Sequence, residues 1–280
     1  MLKSNRHLTD NNRPSSINSP KNTANTHVDK ESKIGSKTYT PPKTRGSVFT
    51  STSQKKRYIT ISGIESDTSY QEHQWPMFAV KELSDNAVDF LKENYPDATD
   101  NERKIATTVR LDTTVKPKLL RIAVRNSNVD NLPVFQNLDG IFDYDNWVST
   151  KRNQHRMTAG GLGDFLKRAL GMGYASWTGH NDNSKDSFEE EQWKEPVILS
   201  FNGKEYRVFL IVNNDNPLTR KEGPIITDIG LDTEVEVALP LTASYWDTAH
   251  SSLLDDLERY HKSFKLVKRN LNFSFTREVI

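Results

Sequence analysis

The stretch Glu82-Leu83-Ser84-Asp85-Asn86-Ala87-Val88-Asp89-Phe90 constrains this 280-residue chain more than any other. At about 100° per residue its apolar positions Val80, Leu83, Ala87 and Phe90/Leu91 form one stripe of a helix. Glu82, Asn86 and Asp89 share the opposite face, with Asp85 beside them. A carboxylate one turn from a carboxamide, with a second carboxylate next along, suits a divalent cation, a polarised water and phosphate oxygens. A merely solvated helix face carries its acids more loosely and mixes them with Lys or Arg at i,i+4.

Composition limits what surrounds this helix. Residues 1–57 hold twelve Lys/Arg against three Asp/Glu, a balance of +9, and the remainder carries −8. Only ten of the first 56 residues are apolar, while Ser, Thr, Asn, Lys and Pro dominate. Such a segment cannot bury enough surface to offset its ordering entropy, so the sequence predicts a disordered basic tail. The tail lacks the amphipathic, Arg-rich character of a transit peptide, and no signal-peptide core follows Met1. No apolar run approaches the ~18–20 residues that span a bilayer, so no membrane partner is expected. The absence of cysteine removes disulfides and thiolate metal sites and fits an intracellular setting, cytoplasm or nucleoid/nucleus.

Along the chain, Tyr58-Ile59-Thr60-Ile61-Ser62 alternates apolar and polar and reads as a first strand. A helix from about Trp75 to Asn94 ends at Tyr95-Pro96. Thr107–Leu111 and Leu119–Val124 read as strands, followed by the turn-rich Arg125–Asn131 and an irregular connection to about residue 158. A second helix runs from Asp164 to about Tyr174, with Phe165, Leu166, Ala169 and Leu170 as its apolar face. After a polar insertion over 180–195 come strands Val197–Phe201, Tyr206–Val212 and Glu234–Leu239, the first two a hairpin around Asn202-Gly203. A helix from Ser251 to about Lys265 and an alternating strand, Leu271-Phe273-Phe275, close the order. No internal repeat is present. This order predicts an α+β two-layer sandwich, a mixed, mostly antiparallel sheet with helices on one face.

Gly160-Gly161-Leu162-Gly163 opens the second helix. Glycines there let backbone N–H groups approach an anion at the positive end of the helix dipole. No Gly-Lys-Ser/Thr follows, so this is not a P-loop, and it is not a dinucleotide fingerprint. A simple turn remains open for the run taken alone.

Taken together, these motifs resemble the GHKL (Bergerat-fold) ATPases: gyrase-type topoisomerases, a class of heat-shock chaperones, histidine kinases and mismatch-repair ATPases. Glu82-x-x-Asp85-Asn86-Ala87-x-Asp89 is similar to their N-box, Gly160–Gly163 to their second glycine box, and Asp232-Thr233-Glu234-Val235-Glu236-Val237-Ala238-Leu239-Pro240 to their closing strand. Order and spacing agree across residues 58–240. The run Leu253–Tyr260, Phe264 and Asn272–Phe275 is most similar to the region where the B subunit of type VI DNA topoisomerase leaves its ATP domain. The resemblance divides the chain into a tail (1–57), an ATP-binding domain (58–245) and the start of a transducer-like segment (246–280).

What the resemblance implies is an ATP and Mg²⁺ site. Glu82 would be the general base for the attacking water. Asn86 would ligate Mg²⁺, with Asp85 and Asp89 supporting the nucleotide. Gly160, Gly161, Leu162 and Gly163 would offer N–H groups to the phosphates, and Thr233 would reach the adenine region. Residues from about Asp143 to Ala159 would form a lid, with Lys151, Arg152, Arg156 and Lys167 as candidate phosphate cations. Partners implied are ATP, DNA through the basic tail, a topoisomerase-A-like or other protein, and a second copy of the chain.

Two departures weaken the parallel. The family's Asp-x-Gly-x-Gly box is replaced by Arg125-Asn126-Ser127-Asn128-Val129-Asp130. Asn126 stands where an ionised acceptor for the adenine amino group is usual. A neutral acceptor loses about 1–2 kcal/mol, roughly tenfold in affinity. The chain also ends before a transducer lysine reaches the γ-phosphate, so hydrolysis is expected to be weak or partner-dependent. Two other readings stay open: a degenerate interaction domain that binds no nucleotide, and a histidine-kinase-like module. The second lacks a dimerising helix with a phospho-acceptor histidine, since His27 falls in the tail and His73 just before the N-box helix. For the tail, deleting residues 1–56 should weaken retention on a DNA column at low salt. Equal retention of both forms would rule out the nucleic-acid role.

Overall fold

A computed structural model of the chain describes residues 54–95, 103–126, 138–145, 164–180, 193–241, 244–267 and 271–280. The basic tail up to residue 53, the glycine box 160–163, most of the lid (146–159, with Lys151, Arg152 and Arg156), residues 127–131 and insertion residues 181–192 lie outside the described residues.

The helices are α1 (Ile61–Thr68), α2 (Trp75–Asn94), α3 (Leu138–Ile141), α4 (Phe165–His180) and α5 (Ser244–Val267), with a 3₁₀ turn at Glu72–Gln74. The strands are β1 (Lys104–Asp112), β2 (Lys118–Asn126), β3 (Val197–Phe201), β4 (Lys204–Asn213), β5 (Asn216–Ile226), β6 (Thr233–Leu241) and β7 (Asn272–Val279). They form one seven-stranded sheet in the order β5-β4-β3-β6-β2-β1-β7. Every pairing is antiparallel except β1 with β7, which is parallel. The expected α+β architecture with a mixed, mostly antiparallel sheet is what the chain forms. Among the described residues no helix is long and apolar enough to cross a membrane.

One face of the sheet carries the core. Ile105, Val109 and Leu111 of β1, Leu120, Ile122 and Val124 of β2, and Val237 and Leu239 of β6 join Val80, Leu83, Val88 and Leu91 of α2 in one buried cluster. α2 lies across β1, β2 and β6, and α4 across β3, β4 and β6. Each buried aliphatic side chain of α2 contributes about 2 kcal/mol. The alternate positions carry several charges, beside a small second apolar cluster of Leu119, Ala238 and Trp193. Arg110 pairs with Glu278 at 2.7 Å, Arg121 with Glu195 at 2.8 Å and Glu236 at 3.4 Å, and Arg125 with Asp232 at 2.7 Å. That period-2 division makes the sheet two-faced.

The first expected strand is not one. Tyr58–Thr60 is a turn, and Ile61 starts α1. The Thr60 side chain accepts a hydrogen bond from the Gly63 N–H, capping the helix, and Ile64 becomes fully buried. Five alternating residues fit a capped first turn as well as a strand, and the hydroxyl cap decides it. β5, which the sequence reading passed over, is polar and largely exposed, and it pairs only with β4 at the sheet edge. Its hairpin turns through Asn214 and Asp215 at φ 51° and 61°. The expected Asn202-Gly203 hairpin is present, with φ 51° and 69°. The C-terminal segment 246–280 completes the same sheet, since β7 pairs with β1 along its length.

α4 sits close to the segment before α1 because it carries Gly171. A Cβ at that position would lie 1.6 Å from the Tyr58 carbonyl oxygen, and one at Gly173 would meet the Trp193 indole at 2.5 Å. Gly171→Ala should therefore lower unfolding free energy by about 3 kcal/mol, read as a lower urea midpoint at unchanged slope. An unshifted midpoint would mean that α4 does not approach Tyr58.

Candidate functional site

The polar face of α2 is held beneath the surface. Glu82 and Asp85 are each 5 % exposed, whereas Asn86 and Asp89 are half-buried. Two buried carboxylates one turn apart repel unless a cation intervenes. Lys81 supplies it: Nζ lies 2.8 Å from Glu82 Oε1 and 3.2 Å from Asp85 Oδ2. Burial alone would lower the pKa of this ammonium, but the hydrogen bonds and charges of Glu82 and Asp85 outweigh that and raise it. Tyr260 of α5 lies within electrostatic reach of Lys81, Asp85 and Glu82, so the C-terminal helix flanks this face. These acids are not a solvated helix face.

The start of α4, immediately after the glycine box, is brought to the same helix. Phe165 packs edge-to-face on Phe78, one turn before Glu82, with ring centroids 5.6 Å apart. Asp164 at the helix entrance accepts hydrogen bonds from the Tyr58 hydroxyl at 2.9 and 2.8 Å, and from Arg168 at 2.7 Å. Arg168 also donates to Asp67 at 2.9 Å, and Arg57 pairs with the same Asp67. The Arg168 guanidinium stands 5.1 Å from the Tyr58 ring centroid. Upstream, Lys55 pairs with Asp145 at 2.5 Å and Lys56 with Asp215 at 2.8 Å. Residues 55–58 are thereby tied to Asp145, to the β4–β5 turn and to the entrance of α4. Lys167 is 2 % exposed. Burial pushes its pKa down, opposed by Asp164 and Asp143.

At one end of β2 and β6, Asn126 and Thr233 face each other across the antiparallel pair. They are 7 % and 4 % exposed, and neither Asn126 Oδ1 nor Thr233 Oγ1 has a hydrogen-bond partner. They stand on the core face, in a row that reads Phe201, Thr233, Asn126, Ile105, Phe273 across five strands. Thr107 Oγ1, diagonal to Asn126 on β1, and Ser84 Oγ on α2 are also buried without partners. An unpaired buried polar group costs about 1–3 kcal/mol, so Asn126, Thr233 and Thr107 together are a local destabilisation on the core face of the sheet.

Of the residues singled out by sequence, the structure thus gathers Glu82 and Asp85 around Lys81 and sets Asn126 against Thr233. Asn86 and Asp89 follow on the α2 face, and Lys167 lies at the start of α4. Sequence reasoning missed Lys81, although a Lys four residues before an Asp is an ordinary i,i+4 pair. It also missed Tyr58, Asp164 and Arg168, whose meeting depends on tertiary contact and leaves no local pattern. No family model and no curated protein matches the chain.

The Tyr58 phenol has its pKa raised, first by burial and then by the Asp164 carboxylate it donates to. The folded state therefore keeps a proton that the unfolded chain begins to release near pH ~10. Stability is complete below that pH and declines above it, and the raised Lys81 acts in the same direction. Denaturation midpoints measured from pH 8 to 11 should fall over the upper part of that range, and less steeply in Tyr58→Phe. Identical profiles for both proteins would rule out the buried phenol as the cause.

Proposed function

We propose that this chain is a Mg²⁺-dependent ATP-binding module of GHKL type, with weak or partner-dependent hydrolysis, related to type VI topoisomerase B subunits and acting in DNA transactions. The observation that carries the reading is the orphaned pair Asn126 and Thr233, buried on the sheet face that α2 covers. A planar base edge would supply the hydrogen bonds that Asn126 Oδ1 and Thr233 Oγ1 lack. The buried acidic face of α2 and the contact between Phe78 and Phe165 support the phosphate end.

The donor set is compatible with the metal. Among the described residues no three His, Asp or Glu side chains converge. Mg²⁺ needs only one or two protein oxygens when phosphates and waters complete its octahedron. Asn86 would provide such an oxygen. When bound, the ion supplies charge neutralisation at the phosphates. Glu82 would hold and accept a proton from water, Lys81 would fix the direction of its carboxylate, and Lys167 would place positive charge near the phosphate-binding start of α4. Closure of a lid or of a homodimer on the nucleotide would transmit its presence to a DNA-handling protein partner, with the basic tail adding salt-dependent affinity for DNA.

A second reading is an interaction domain of the same architecture without turnover. The engagement of Glu82 by Lys81 favours it, because an ion-paired carboxylate is a poorer base.

Titration distinguishes them. ATP with Mg²⁺ at 100 times its dissociation constant should stabilise the chain by about 2.7 kcal/mol, read as a raised Tm. Asn86→Ala should abolish the shift. Glu82→Gln should keep the shift and lose whatever phosphate release the wild type shows. Absence of any ATP-dependent shift in the wild type would sink the nucleotide reading, and unchanged phosphate release in Glu82→Gln would sink the role of that residue.

A further inference from the structure

The Asn126–Thr233 pair has a chemical property that neither residue type alone conveys: it is neutral, and both members are reversible. A carboxamide carries an acceptor and a donor on one plane, and a half-turn about its last torsion exchanges them without changing shape. A hydroxyl rotates between donating and accepting. The row around them offers no charge, since Phe201 and Ile105 flank the pair, and the neighbouring Arg125 and Glu234 belong to the opposite set of strand positions. The other buried oxygen beside Asn126, Thr107 Oγ1, is again a hydroxyl. Among the described residues nothing fixes Asn126 Oδ1 as an acceptor.

We propose that Asn126 and Thr233 form a purine reader that does not separate 6-amino from 6-oxo bases, so the chain binds guanine and hypoxanthine nucleotides as well as adenine nucleotides. The inference rests on the nucleotide-binding reading above and names its substrate class. A 6-amino group donates to Asn126 Oδ1. A 6-oxo group accepts from Asn126 Nδ2 after the amide turns, and Thr233 adjusts its hydroxyl to the neighbouring ring nitrogen. An ionised carboxylate at 126 would only accept, and would repel a 6-oxo oxygen at so buried a position.

The test is isothermal titration of the full chain with the Mg²⁺ complexes of ATP, GTP, ITP and CTP, and with Mg²⁺-tripolyphosphate. The three purine nucleotides should bind within about threefold of one another, and CTP and tripolyphosphate more weakly. Asn126→Asp should keep ATP and weaken GTP and ITP by about 100-fold. Should that variant fail to fold, Thr233→Val carries the test: it should weaken all three purine nucleotides about tenfold and leave tripolyphosphate unchanged. A wild type that prefers ATP over GTP by more than about tenfold overturns the proposal while leaving nucleotide binding intact. Tripolyphosphate binding as tightly as the nucleotides overturns base reading and leaves a phosphate site. No binding of any of them overturns both this proposal and the reading beneath it.

Discussion

Everything in this molecule is arranged around one helix lying on a sheet while keeping two carboxylates out of water. α2 buries Val80, Leu83, Val88 and Leu91 against β1, β2 and β6, which anchors it. The same rigid placement holds Glu82 and Asp85 beneath the surface, where two negative charges would be untenable without Lys81 between them. The apolar stripe provides the free energy, and the polar stripe spends part of it on a fixed charge arrangement. α4 then meets this helix through Phe165 and Phe78, and its entrance is fixed by the ion pairs that run from Arg57 through Asp67 and Arg168 to Asp164.

The fold was legible where periodicity is strong and two-sided. α2 was readable from end to end because twenty residues, Trp75–Asn94, repeat the helical stripe. β2 and β6 were readable because their apolar residues outlast a single turn of alternation. β5 was not, since an edge strand with one neighbour needs no apolar face, and its sequence Asn216–Ile226 carries the charges of a loop. Tyr58–Ser62 misled because alternation over five residues carries too little information to outvote a threonine cap.

The candidate site was legible to a different extent at its two ends. The acidic end lies on one helix, so spacing alone reveals which side chains share a face. The Asn126–Thr233 end is built from residues more than a hundred positions apart, and only the β2–β6 register makes them neighbours. Residue types with modest propensities carry no local signal for such a meeting. The Tyr58–Asp164 hydrogen bonds are of the same kind, joining positions 106 apart in sequence.

The parallel pairing of β1 with β7 carries a consequence for how the molecule assembles. β1 and β2 are joined by a short connection and form their ladder locally, whereas the Arg110–Glu278 contact at the far edge spans 168 residues. Closing so long a loop is entropically late. Until it closes, β1 presents a row of unsatisfied amides and carbonyls to any strand that arrives. In concentrated solution the terminal strand of a neighbouring molecule competes for that row with the molecule's own, so refolding yield should depend on dilution rather than on time.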